Sequence, residues 1–108
     1  MGRSCDERWL PELLAQLDSD DAEFRYEAVT ALGEIEAQSS ATAVVSMLED
    51  EDSAVRFAAI AALGKIGGQH AKNALKHLAR DENDAVAEAA EEALTDLAFA
   101  EDPMGLGN

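Results

Sequence analysis

Residues 50–67 read "DEDSAVRFAAIAALGKIG", a stretch whose apolar positions decide the fold. Upstream, residues 19–36 read "SDDAEFRYEAVTALGEIE", and downstream, residues 81–98 read "DENDAVAEAAEEALTDLA". Leu32, Leu63 and Leu94 align, as do Ala28, Ala59 and Ala90, and Phe24, Val55 and Val86, so the period is 31 residues. A fixed period of this length is the signature of a repeat architecture, in which each unit buries its apolar face only against its neighbours.

Within the middle unit, Val55, Ala59, Ala62, Leu63 and Ile66 recur at steps of three and four and draw one buried helical stripe. The cluster Asp50, Glu51, Asp52 and Ser53 ahead of it supplies N-cap oxygens and suits the positive end of the helix dipole. Gly67 and Gly68 end the helix, because glycine takes the left-handed conformation that a helix C-terminus often requires. The same reading predicts helices over Ala22 to Glu36, Ala41 to Glu49, Gln69 to Arg80 and Ala85 to Ala98, with "AQSS" as a turn. Leu10 to Asp18 aligns with the second helix of each unit: Leu13, Val44 and Leu75 share a column, and Pro11 sits in a first turn, where its missing N–H costs nothing.

These residues resemble the short HEAT-like repeats also found in phycobilin lyases, where an Asp precedes a Val-Arg pair and the helix closes on Ala-Leu-Gly-x-Ile. The middle unit matches with Asp50, Val55, Arg56, Ala62, Leu63, Gly64 and Ile66. The first unit keeps Arg25, Ala31, Leu32, Gly33 and Ile35 but has Ser19 for the Asp; the third keeps Asp81, Val86, Ala93 and Leu94 but has Ala87 for the Arg and Thr95 for the Gly. The resemblance implies an all-α fold, a right-handed solenoid of about three helix pairs. The expected organisation is an N-terminal arm (1–9), a repeat domain (10–99, with units near 10–37, 41–67 and 69–99) and a flexible tail (100–108), since Pro103 and two glycines stop the last helix.

Column comparison also marks a boundary of the array. Tyr26 and Phe57 lead to Glu88, Val29 and Ile60 to Glu91, and Thr30 and Ala61 to Glu92. Positions that are apolar while another unit follows become carboxylates in the last one, so Ala85 to Ala98 is expected to cap the solenoid with a polar outer face.

The chain has 108 residues, 23 acidic against 8 basic, and a formal charge of −15. So negative a surface repels phosphate backbones, so nucleic acid and anionic membranes are not expected partners. It fits either a basic partner or adaptation to high salt, in keeping with five Arg and three Lys. One cysteine, Cys5, excludes an internal disulfide and suits a reducing cytoplasm. No secretory signal and no membrane-spanning run is visible.

No enzyme is expected. His70 and His77, seven apart, have no thiol or carboxylate at ligand spacing, so neither a metal nor a cofactor is expected. HEAT-like repeats also build an iron-dependent hydroxylase with His-Glu pairs, but here Ala71 and Leu78 follow the two histidines. Arg25 and Arg56 suit an anion clamp or, as the resemblance also implies, a ladder of ion pairs between units; the absence of an Arg at Ala87 agrees with the ladder. The segment "KIGGQHAKNALKHLAR" (65–80) holds four of the eight basic residues and no acid, whereas 81–102 holds nine acids and no base. Lys72, Lys76 and Arg80 recur every fourth residue as one basic stripe, which either docks an acidic peptide or neutralises the Glu-rich last helix.

Second helices of such arrays line the concave face, as the resemblance implies. The expected function is therefore a non-enzymatic protein-interaction module whose partner meets Glu12, Gln16, Ser46, Lys72, Lys76, His77 and Arg80. A phycobilin lyase-like or other enzyme-accessory role is the alternative. The chain is expected to be a cytoplasmic monomer or a weak homodimer, with self-association near Trp9 and Leu10.

Overall fold

The computed structural model describes residues 10–36 and 38–101, with side chains to 98. Among them are six α-helices and no strand: α1 (Leu10–Gln16), α2 (Ala22–Ile35), α3 (Ala41–Ser46), α4 (Ser53–Ile66), α5 (Gly68–Leu78) and α6 (Asp84–Glu101). Short 3-10 turns, Gln38–Ser40 and Met47–Glu49, flank α3. The all-α solenoid follows directly, with α2, α4 and α6 stacked in one layer and α1, α3 and α5 in the other. The core runs through both layers: Leu32, Leu63, Leu75, Val29, Val44 and Val55 are all fully buried. The Ala28, Ala59 and Ala90 column is 0% exposed in all three units.

Each long helix starts by the same device, repeated every 31 residues. Asp21 caps α2 through an Oδ1 that accepts from the Glu23 N–H at 2.9 Å, and Asp52 caps α4 by accepting from the Ala54 N–H at 2.8 Å. Asn83 does the same for α6, accepting from the Ala85 N–H at 2.9 Å. Two residues earlier, Ser19, Asp50 and Asp81 each accept from the N–H of the capping residue, folding the approach into a turn. Ser19 thus keeps the turn that the expected Asp would have made.

The helix ends differ from expectation by a few residues. α5 stops at Leu78, leaving Arg80 in the following turn, where its N–H donates to the His77 carbonyl at 3.2 Å. α6 continues to Glu101, three residues beyond Ala98. The arm and nearly all of the tail lie outside the described residues, as do Cys5 and Trp9.

α4 ends at Gly67 and Gly68, both at positive φ (73° and 88°). One period earlier, at the Gly67 position, Glu36 adopts φ 53° and ψ 39° at the end of α2, the one non-glycine with positive φ among the described residues. An L-residue with a Cβ is strained there, and a carboxylate is also misplaced at a helix C-terminus. Glu36→Gly is therefore expected to stabilise the fold by about 0.5–1 kcal/mol, read as a higher midpoint in urea at unchanged slope.

Candidate functional site

With few cations in an acidic chain, the disposition of each one narrows where a partner can bind. Arg25, only 9% exposed, is committed to the fold: its Nε donates to Asp50 Oδ2 at 2.8 Å, its Nη2 to Asp50 Oδ1 at 3.1 Å, and its Nη1 to the Ser19 carbonyl at 2.7 Å. This is the expected rung between units, two-pronged and joining α2 to the loop before α4. The Asp50 hydrogen bond and its charge, outweighing desolvation, raise the Arg25 pKa further above its ordinary value. Burial pushes the Asp50 carboxyl up, but bonds from Arg25 and the Asp52 N–H, with the charges of Arg25 and Arg56, hold it below the ordinary aspartate value.

The next rung is not built. Arg56 Nη1 donates to the Asp50 carbonyl at 2.7 Å, as Arg25 does to Ser19, but Arg56 forms no ion pair with Asp81. Asp81 is exposed, whereas the Asp50 side chain is 8% exposed, so a pair with Asp81 would stand in water, where its Coulomb gain is small.

Lys65 is also absorbed. Its Nζ lies 2.8 Å from Glu34 Oε2, one period away, bridging α4 to α2 and, by that hydrogen bond and then its charge, lowering the Glu34 pKa. Lys65 therefore sits on the α2/α4 layer, away from the basic face of α5.

On α5, Ala71 and Leu75 are buried and Lys72 is half-buried and partnered. Lys76, His77 and Arg80 are exposed, and among the described residues their side chains have no hydrogen bond or ion pair. Neutralisation of α6 by this stripe is therefore not seen at Lys76 or Arg80. His77 and Arg80 border one open recess with Asp81 and Glu82.

The other expected contact residues lie elsewhere on the same layer. Ser46 is exposed on α3, its hydroxyl donating to the Ala43 carbonyl at 2.6 Å. Glu12 and Gln16 line a separate, largely apolar recess with Leu13, Ala31 and Ile35, between α1 and α2. The column containing Gln16, Met47 and Leu78 carried the signal: its apolar members place Gln16 on a face that is covered in later units.

No three His, Cys, Asp or Glu among the described residues are grouped to hold a metal ion, and no described helix is long and apolar enough to cross a membrane.

The family profile described as HEAT repeats matches residues 10–95. The chain belongs to the HEAT-repeat family. HEAT repeats are generally scaffolds for protein interaction and typically non-enzymatic. No match to a curated protein was found. For this HEAT-repeat chain, the match spans α1 through most of α6, so both helix layers belong to the repeats.

Proposed function

We propose that this HEAT-repeat chain is a passive, non-enzymatic module that binds a protein partner through an acidic segment laid along α3 and α5. The observation that carries this reading is the pair of uncommitted cations Lys76 and Arg80. Every other described Lys and Arg has a partner within the fold, while these two, with His77, face solvent in a chain of charge −15. Lys72 lies on the same helix and Ser46 extends the surface across α3, whereas Glu12 and Gln16 line the separate recess between α1 and α2 and fall outside it. Lys76 and Arg80 offer an acidic ligand two exposed cations, next to Asp81 and Glu82 at the end of the helix, and opposite charges orient its approach.

The double variant Lys76→Glu/Arg80→Glu tests this against a fluorescein-labelled acidic amphipathic peptide. The exchange touches no described bond, so circular dichroism is expected to stay unchanged while affinity at low salt falls roughly tenfold or more. Equal affinity of the variant and the parent would remove the assignment.

A further inference from the structure

Positions one period apart report what each unit covers on the next. In α4, Val55, Ala62 and Ile66 are 0%, 3% and 4% exposed. Their counterparts on α2 are equally apolar but open: Phe24 is 52% exposed, and Ala31 and Ile35 are half-buried. In the second layer Val44 is fully buried, while its counterpart Leu13 is half-buried. Leu13, Ala31 and Ile35 meet in the apolar recess between α1 and α2. The opposite face of the stack has lost this character. Glu88, Glu91 and Glu92 are exposed on α6, and Thr95 replaces the glycine that allows close approach.

We infer that the outer face of α1 and α2 is a docking site for an amphipathic helix of a partner protein, apolar along one stripe and cationic beside it. The internal interfaces show what such a face accepts. α2 lies so close on α4 that a Cβ on Gly33 would sit 2.9 Å from Ala62, and Ala31 occupies the Ala62 position on the outer face. The incoming helix therefore presents a small residue opposite Ala31. The charge requirement comes from Glu27, which stands where Ala58 and Ala89 stand in the later units. Glu27 is exposed, without an ion pair among the described residues, and Glu12 and Glu23 are exposed on the same two helices. A cation beside the apolar stripe matches them. A second copy of the chain does not, since it would bring either the same carboxylates or those of α6 and repel at −15 per chain.

The chain's own α4 sequence, "SAVRFAAIAALGKI" (53–66), supplies a probe: it holds Arg56, Lys65 and Gly64 and no acid. A synthetic, end-capped peptide of this sequence is titrated into the 15N-labelled full chain. Amide shifts are expected at Leu13, Glu27, Ala31 and Ile35. Glu27→Lys, a surface exchange, is expected to weaken binding at least tenfold, and Ala31→Leu, which blocks close approach, to abolish it. Lys76→Glu/Arg80→Glu is expected to leave this binding intact, which separates this face from the α5 surface. Shifts confined to α6, no shifts up to about 1 mM peptide, or unchanged affinity with Glu27→Lys would overturn the inference. So would a dimer of the free chain that the peptide converts to monomer, since a second copy would then be the occupant.

Discussion

Gly33→Ala is expected to destabilise the protein, although the same exchange in an isolated helix gains up to about 1 kcal/mol of propensity. A Cβ built on Gly33 would lie 2.9 Å from both the Cα and the Cβ of Ala62, closer than packed carbons tolerate, and one of the two obstructing atoms is backbone. The side chain cannot rotate away, so α2 and α4 must part, and their separation loosens contacts around Val29, Leu32, Ala59 and Leu63 in the fully packed core. Overpacking of this kind costs about 1–3 kcal/mol, leaving a net loss of up to about 2 kcal/mol for Gly33→Ala and roughly 3 or more for Gly33→Leu. Gly64 provides the control, since its added Cβ would meet the Ala93 Cβ at 3.1 Å, a contact relieved by a small shift. Gly64→Ala is expected to be near neutral, and Thr95→Ala, on the open side of α6, neutral to slightly stabilising. Urea denaturation of the four variants measures the order. If Gly33→Ala proved as stable as the parent, the close-approach reading would fail. Gly33→Ala combined with Ala62→Gly should recover part of the loss, as a positive coupling in a double-mutant cycle.

The reason for that glycine was not legible in the sequence, while the helices around it were. Repetition at 31 residues identifies the stripes of Leu32 and Leu63, the acidic N-cap cluster that contains Asp52, and the stop at Gly67, because each is a local requirement; the matching caps Asp21 and Asn83 emerged with the structure. Gly33 and Gly64 answer to a distance between helices, which spacing along one helix does not encode. The replacement of both by Thr95 in the unit whose outer face carries Glu88 and Glu91 was the available clue. Arg25 and Arg56 show the same limit from another side. Both occupy the same place in the repeat, yet only Arg25 has its ion pair, because solvent exposure distinguishes Asp50 from Asp81 and periodicity does not. The Lys65–Glu34 bridge, in contrast, could have been read directly, as opposite charges one period apart in a single column. For the candidate site, sequence reasoning picked out the α5 cations. It grouped them with Glu12 and Gln16, which line a different recess on the N-terminal helices.

Asp50→Asn is expected to lower Tm by on the order of 10 °C at neutral pH and to remove part of the acid sensitivity of the fold. Asp50 does three things at once. Its two oxygens hold Arg25 across the unit boundary, its Oδ1 also accepts from the Asp52 N–H that opens α4, and its carbonyl binds Arg56. Asparagine retains one acceptor oxygen and the turn but removes the charge, so the guanidinium of Arg25, with its side chain 11% exposed, stays in place without a counterion. Removing one partner of a shielded pair is costly because the other charge remains desolvated, which makes this exchange far more damaging than deletion of an exposed carboxylate such as Glu34. The sign of the pH effect follows from the direction of the shift. Asp50 has a lower pKa folded than unfolded, so the native state holds its carboxylate ionised more strongly than the unfolded chain does. Its contribution is fully present above the ordinary aspartate value of about 3.9, and it is lost as pH falls below that value and through the lowered one. Relief of repulsion among the other carboxylates works in the opposite direction over the same range, since the chain moves from −15 toward its pI near 4.2. The parent's thermal stability should therefore change little, or rise, on mild acidification and drop only once Asp50 is protonated. Asp50→Asn should keep the mild rise and show a shallower drop, so that the two Tm curves converge at low pH. Parallel curves with a constant offset from pH 7 to pH 3 would show that Asp50 acts through its turn alone, and that the Arg25 rung contributes nothing to holding the units together.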